Sequence, residues 1–164
     1  METLAAIAIR HSTREFLGKP IPRDVIEKII DAGSQAPTAR NEQPWEFVVV
    51  TDAGMRKQIG ELTDYGKFIA AAPVCVAVFC KDTKYYLEDG CAATENLLLA
   101  ATALGVQSCW VAGDKKAFCP RIAQMLKVPA GYKLISLLAM GYEATPGRQK
   151  PRRGIGQVLH WEQF

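Results

Sequence analysis

The sequence predicts a three-layer α/β sandwich, a central sheet with helices on both faces, and two observations carry that prediction. Four apolar, β-rich runs, "WEFVVVT", "PVCVAVF", "SCWVAG" and "KLISLLAMGY", are interleaved with stretches of helical periodicity, the order that stacks helices onto a sheet. "PVCVAVF" and "KLISLLAMGY" also lack polar alternation, so each is expected to be buried on both faces. Periodicity leaves the strand directions open.

Each element follows from local chemistry. Residues 2–9 read as a short helix, and "RHSTREFLGKPIP" as an irregular or extended arm. A second helix opens near Pro22, whose fixed φ suits a first turn, with Val25, Ile26, Ile29 and Ile30 on one face. "SQAPTARNEQP" has the composition of a loop. After the first strand, Asp52 can cap a helix that runs to about Leu62. The strongest helical segment runs from about Tyr86 to Leu104. It stops at Gly105 and is apolar around much of its circumference, so it lies at the centre of the domain or against a second subunit. "AFCPRIAQML" reads as a short helix, and the chain closes on a polar tail and a strand-like piece, "VLHW".

With 164 residues, 49% of them hydrophobic and 23% charged, the chain has the composition of one globular domain. No stretch reaches the roughly eighteen unbroken apolar residues of a membrane span, and the opening lacks the basic n-region of a secretory leader, so a cytoplasmic protein is expected. Five cysteines, odd in number and without a C-x-x-C pair, suit reduced buried thiols better than a disulfide framework or a zinc site. Two histidines, His11 and His160, have no ligand-spaced partners, so no metal is expected. A Cys–His nucleophile is disfavoured because buried cysteines are inert.

A net charge of +3 is too small to indicate a nucleic-acid surface, yet the basic residues gather at Arg10–Arg14 and at Lys150–Arg153. Each cluster reads either as a solvated surface or as half of an anion grip, since the guanidinium fork pairs well with phosphate. The usual glycine-rich phosphate loops are absent, and "GDKK" at Gly113 is too loose to count as one. Thr38, Arg40, Asn41 and Gln43, between Pro37 and Pro44, offer groups that could read the edge of a flat heterocycle, or they form an ordinary connection. "CWVAGD" ends a strand on small residues whose amides could approach a ring, whereas Trp110 by itself reads as core.

In order and in spacing, "RHSTREF", "APTARNEQPWEF", "KFIAAAPVCVAVF", "ENLLLAATALGVQSCWV", "LLAMGY" and "KPRR" ahead of "HWEQF" resemble the FMN-dependent nitroreductase family over nearly the whole chain. The resemblance implies a single FMN-binding domain of the α+β class, with a mostly antiparallel sheet and an intertwined homodimer. It implies that Arg10, His11 and Ser12 hold the FMN phosphate and ribityl chain, that Lys150 and Arg152 close on the phosphate, and that Arg153 is a bystander. Arg14 would lie near N1, where two-electron reduction leaves negative charge, and would raise the reduction potential. Pro37, Thr38, Ala39 and Asn41 would face the flavin of the other subunit. Trp110, Val111, Ala112 and Gly113 would bring main-chain groups to N5 and O4, and Lys67 would approach the pyrimidine edge. No side chain would act as a catalytic nucleophile. NADH or NADPH would donate hydride by a ping-pong mechanism, with a planar nitroaromatic or quinone as acceptor. The chain is short for the family and lacks a helical insertion between its third helix and second buried strand, which implies an open site. A flavin-binding or redox-sensing module with little turnover is the alternative, and a small nucleic-acid-binding domain a third reading.

Overall fold

Strands and helices alternate along the chain in the computed structural model, which describes residues 1–147 and 149–164, apart from the Ala112 side chain. The order is α1 (Thr3–Ile9), α2 (Arg23–Ser34), β1 (Trp45–Val50), α3 (Ala53–Leu62), β2 (Val74–Lys81), α4 (Tyr86–Ala103), β3 (Gln107–Ala112), α5 (Cys119–Met125) and β4 (Tyr132–Gly141). Short 3-10 turns stand at Ala39–Asn41, Lys67–Ala70 and Ile155–Gln157.

The sheet has the order β1-β2-β4-β3, and every neighbouring pair is antiparallel. The direction that periodicity leaves open is thereby settled, and the class is α+β. Val50 pairs with Cys75, so α3 and the turn at Lys67–Ala70 leave and re-enter the sheet at the same end. Among the described residues, that 3-10 turn is the one helical element between α3 and β2, as the short chain predicts.

The unbroken apolar runs do face two cores. Val74, Val76 and Val78 of β2 pack with Ile29 of α2 and with Leu97 and Ala101 of α4. The intervening Cys75, Ala77 and Phe79 pack with Ile59 of α3, Ile69 and Ile122 of α5. Successive side chains of a strand point to opposite faces, so one strand without polar positions serves both helical layers. All five cysteines are free, and four of them are buried. Loss of solvent pushes the Cys75 and Cys80 thiols up to about 12, which leaves no thiolate for nucleophilic chemistry there.

Local signals place the helix ends. The Asp52 carboxylate accepts from the Met55 amide at 2.7 Å, and Gly105 ends α4 with a φ of +77° that a side chain would oppose. Pro22 stands one residue outside α2 as its N-cap, rather than in the first turn. The expected strand at "VLHW" is corrected: Val158 follows the last 3-10 turn and the whole segment is solvent-exposed, with no ladder partner among the described residues. An alternating pattern becomes a strand only where a neighbouring backbone supplies hydrogen bonds.

Candidate functional site

Residues 10–17 run as an extended arm across the end of the sheet. Ser12 forms a parallel bridge with Ser108 of β3, and Phe16 an antiparallel one with Glu143, just after β4. The Thr13 amide donates to the Ser108 carbonyl at 3.0 Å, and the Leu17 amide to the Tyr142 carbonyl at 2.8 Å. These contacts hold the arm at the edge of a rigid sheet.

The C-terminal tail then folds back over the arm, and Glu143 is the post to which both are tied. Its Oε2 accepts from His11 Nε2 at 2.9 Å, from the Gly147 amide at 3.0 Å and, more weakly, from Thr13 Oγ1 at 3.5 Å. His11 Nδ1 faces the Ile9 carbonyl at 3.0 Å. Both of its partners can only accept, so both ring nitrogens must donate and the imidazolium is favoured. The pKa of His11 is accordingly raised, chiefly by the Ile9 carbonyl and further by Glu143 against partial burial. At Gly147 a Cβ would stand 2.3 Å from the His11 ring, so only glycine lets the tail lie this close. Further along, the Gln149 carboxamide donates to the carbonyls of Ala8 and Arg10.

The result is a polar cradle of about 250 Å³ lined by Arg10, His11, Ser12, Arg14, Gln149, Lys150 and Arg152. The two basic clusters from opposite ends of the chain meet here. Among the described residues, Arg10, Arg14, Lys150 and Arg152 form no ion pair with a carboxylate, so four cations converge without a counter-charge.

Arg14 also lines a second, larger cavity of about 490 Å³, with Trp110 and Val111 of β3, Phe68, Phe118 and Lys116. Its guanidinium carbon lies 5.7 Å from the centre of the Phe68 ring, within reach of a cation–π contact. One wall, Thr63 to Phe68, is set by a tight turn: Thr63 Oγ1 accepts from the Gly66 amide at 3.0 Å and donates to the Gly60 carbonyl at 2.9 Å. A Cβ at Gly66 would meet Thr63 Oγ1 at 2.5 Å and Val111 at 3.0 Å, so glycine allows this turn to sit against β3.

The other expected site residues are placed differently. Lys67 is exposed, one residue before the cavity-lining Phe68. Gly113 lines neither cavity, and a Cβ there would meet the Leu134 and Ile135 carbonyl oxygens at 2.7 and 2.8 Å. Close packing on β4 therefore already demands glycine at this position. Ala112 ends β3, and its side chain lies outside the described residues. The loop of Pro37, Thr38, Ala39 and Asn41 lines neither cavity of its own chain. It is pinned instead by Asp89 of α4, which is buried and accepts from Thr38 Oγ1 at 2.8 Å and from the Ala39 amide at 3.2 Å. Asp89→Ala is expected to cost about 1–3 kcal/mol by leaving both donors without an acceptor, seen as a lower midpoint in thermal unfolding with faster proteolysis at 38–43. An unchanged midpoint and cleavage pattern would contradict the tether.

Glu143, Gln149, Asp89, Phe68, Phe118 and Lys116 were outside the set that sequence reasoning picks out. For Phe68 the neighbouring lysine of "GKFIAAAP" was a usable signal, whereas Glu143 and Asp89 act across long stretches of chain and leave no local trace.

Among the described residues, no group of three or more histidines, cysteines or carboxylates could hold a metal ion. No helix there is long and apolar enough to cross a membrane.

Comparison with known proteins bears on the family and the fold. The model of the nitroreductase family matches residues 7–72 and 63–142. A protein of Archaeoglobus fulgidus named "Putative NADH dehydrogenase/NAD(P)H nitroreductase" is 36% identical over 148 residues, 86% of this chain and 85% of that one. A crystal structure of a Parabacteroides distasonis protein with the same name superposes with a TM-score of 0.94 at 26% identity, covering 99% of this chain and 98% of that one. The compact form without an insertion is therefore shared. The chain of a Clostridium difficile FMN-dependent nitroreductase has the same fold, with a TM-score of 0.89 at 22% identity over 98% of this chain and 99% of that one. By its family model, its relatives and its fold, this chain belongs to the nitroreductase family.

Proposed function

We propose that the protein is an FMN-dependent NAD(P)H oxidoreductase, its 164 residues forming one FMN-binding domain. One observation carries this reading: a cradle of four uncompensated cations and a cavity with aromatic walls share a single residue, Arg14. A ligand with an anionic end and a flat end fits that pair, and a bound phosphate relieves the repulsion that the four cations otherwise sustain. Arg10, Ser12, Lys150 and Arg152 hold the phosphate in this reading. His11 has both ring nitrogens committed to Ile9 and Glu143, so it positions arm and tail and stays off the phosphate.

When bound, FMN accepts hydride from a reduced nicotinamide and passes two electrons on to an acceptor. The chain's own part is to bind, orient and screen. Arg14 sets a fixed positive charge beside the flat end of the ligand, favouring the form with more negative charge there. Phe68, Trp110 and Phe118 supply apolar walls for flat molecules. Donor and acceptor use the same cavity in turn, a ping-pong scheme with nitroaromatics or quinones as acceptors.

A second copy of the chain completes the site in this reading, bringing Pro37, Thr38, Ala39 and Asn41 to the flavin, while the exposed Lys67 approaches the pyrimidine edge. Apolar side chains left in contact with water in one copy support a homodimer: Leu4 and Ile7 of α1 are 71% and 51% exposed, and Trp161 77%. The five free, mostly buried thiols suit a reducing cytoplasm.

The test is direct. The purified protein is expected to be yellow or to turn yellow with added FMN, to bleach with NADH or NADPH under nitrogen, and to recover its colour with a quinone. Parallel double-reciprocal lines would establish ping-pong order. A colourless protein that takes up no FMN overturns the proposal.

A further inference from the structure

A third cavity of about 520 Å³ lies on the other side of the loop that follows β3, the "GDKK" stretch. Its cationic rim is Lys115, Lys116 and Lys133, and its walls include Tyr132 and Pro120. Lys116 lines both this cavity and the larger of the two already described, which makes the two cavities neighbours.

The three lysines are not equally available. Lys133 is paired with Asp82 at 3.2 Å and stands 4.7 Å from the centre of the Tyr86 ring, and Lys116 is loosely paired with Asp64 at 3.9 Å. Lys115 is exposed and makes no ion pair or side-chain hydrogen bond among the described residues. Asp114 is the one carboxylate lining the cavity among the described residues, and its Oδ1 already accepts from the Tyr86 hydroxyl at 3.0 Å. Three lysines and one carboxylate line the cavity, and Lys115 is the lysine that has no ion pair among the described residues.

We propose that this cavity is the subsite for the phosphorylated adenosine end of the nicotinamide donor, and that Lys115 makes it select NADPH over NADH. The inference rests on the reading of the first cavity as the place of hydride transfer. A small planar acceptor would end in the first cavity and never meet Lys115. A nicotinamide dinucleotide is long, with its reactive ring at one end and phosphates and adenine at the other. The lysines suit its phosphates as point charges, and the ring faces of Tyr132 and Pro120 give adenine an apolar surface. NADPH and NADH differ only in the 2′-phosphate, so one unpaired cation at the far end is enough to separate them.

The test is Lys115→Glu in the FMN-loaded protein, with two measurements. In anaerobic stopped flow, the half-saturating NADPH concentration is expected to rise about tenfold or more, the scale of one lost charge-assisted contact, with NADH unchanged within about twofold. In calorimetric titration, adenosine 2′,5′-bisphosphate is expected to bind the wild type more tightly than AMP, a preference lost in the variant. Equal changes for both donors, no change for either, or a bisphosphate preference that survives the substitution would each overturn the proposal. If neither donor reduces bound flavin in the wild type, the hydride-transfer reading fails by itself, and the bisphosphate titration still decides whether Lys115 reads the phosphate.

Discussion

Arg14→Ala is expected to leave FMN bound while lowering its two-electron midpoint potential by about 30–60 mV, the equivalent of a charge-assisted contact of roughly 1.5–3 kcal/mol lost from the reduced form. Arg10→Ala is expected to do the reverse, releasing cofactor with little change in the potential of what stays bound. The division follows from position. Arg14 lines both the cradle and the aromatic-walled cavity, and its guanidinium lies over the Phe68 ring; Arg10 lines the cradle alone. A cation confined to the phosphate end stabilises oxidised and reduced cofactor alike and so moves binding. One that reaches the ring stabilises the more negative form preferentially and so moves potential as well. Dye-equilibrated reductive titration gives the potential, and recovery of flavin fluorescence on dilution gives the release. Equal losses of both properties in both variants would remove the distinction.

The fold was legible where burial is settled by local pattern. The apolar runs of β2 and β4 announce two covered faces, and the Ala- and Leu-rich α4 stops where Gly105 takes a positive φ. Strand direction was not legible, because side-chain alternation is the same whichever way the neighbouring strand runs. Double-sided burial in fact tends to suggest parallel strands, whereas β2 and β4 are antiparallel. "VLHW" misled for a related reason, since its pattern says nothing about whether a partner backbone is within reach.

Within the candidate site, the clusters of like charge could be read directly, because arginines and lysines gather where something must neutralise them. The groups that bring those clusters together could not. Glu143 is a single carboxylate after a buried strand, and its contact with His11 spans 132 positions in the chain. The resemblance assigns His11 to the ligand and leaves out Glu143, the group that ties His11 to the tail. Gly113 shows the same limit from the other side: a small residue at the end of a strand invites a ligand-based explanation, yet the carbonyls of β4 already leave no room for a Cβ.

Glu143→Ala is expected to weaken FMN retention by about ten- to a hundredfold, although the side chain lines neither cavity, because losing a charged hydrogen-bond acceptor costs about 1.5–3 kcal/mol of tail docking. Without it His11 Nε2, the Gly147 amide and Thr13 Oγ1 all lose their shared partner, and Lys150 and Arg152 are no longer held against the arm. Glu143→Gln keeps an acceptor for Gly147 but not the charge that favours the imidazolium, so it should fall between wild type and alanine. In that variant the His11 titration followed by proton NMR should move down towards 6.5, the ordinary value from which it is raised. The pH dependence has a definite sign. His11 is raised, so its contribution is complete below 6.5 and is lost as pH rises through its folded value. Burial pulls the Glu143 carboxyl up, but the Gly147 amide, His11 and Thr13 outweigh it, so Glu143 is lowered from 4.5. Its contribution is complete above 4.5 and is lost as pH falls through its folded value. The clasp is therefore strongest between pH 4.5 and 6.5, and the wild type should release flavin and expose the tail to protease more readily above this window, a dependence that Glu143→Ala reduces. Retention of FMN by the alanine variant as tight as in the wild type would mean that the tail is held by Gln149 and the cradle alone.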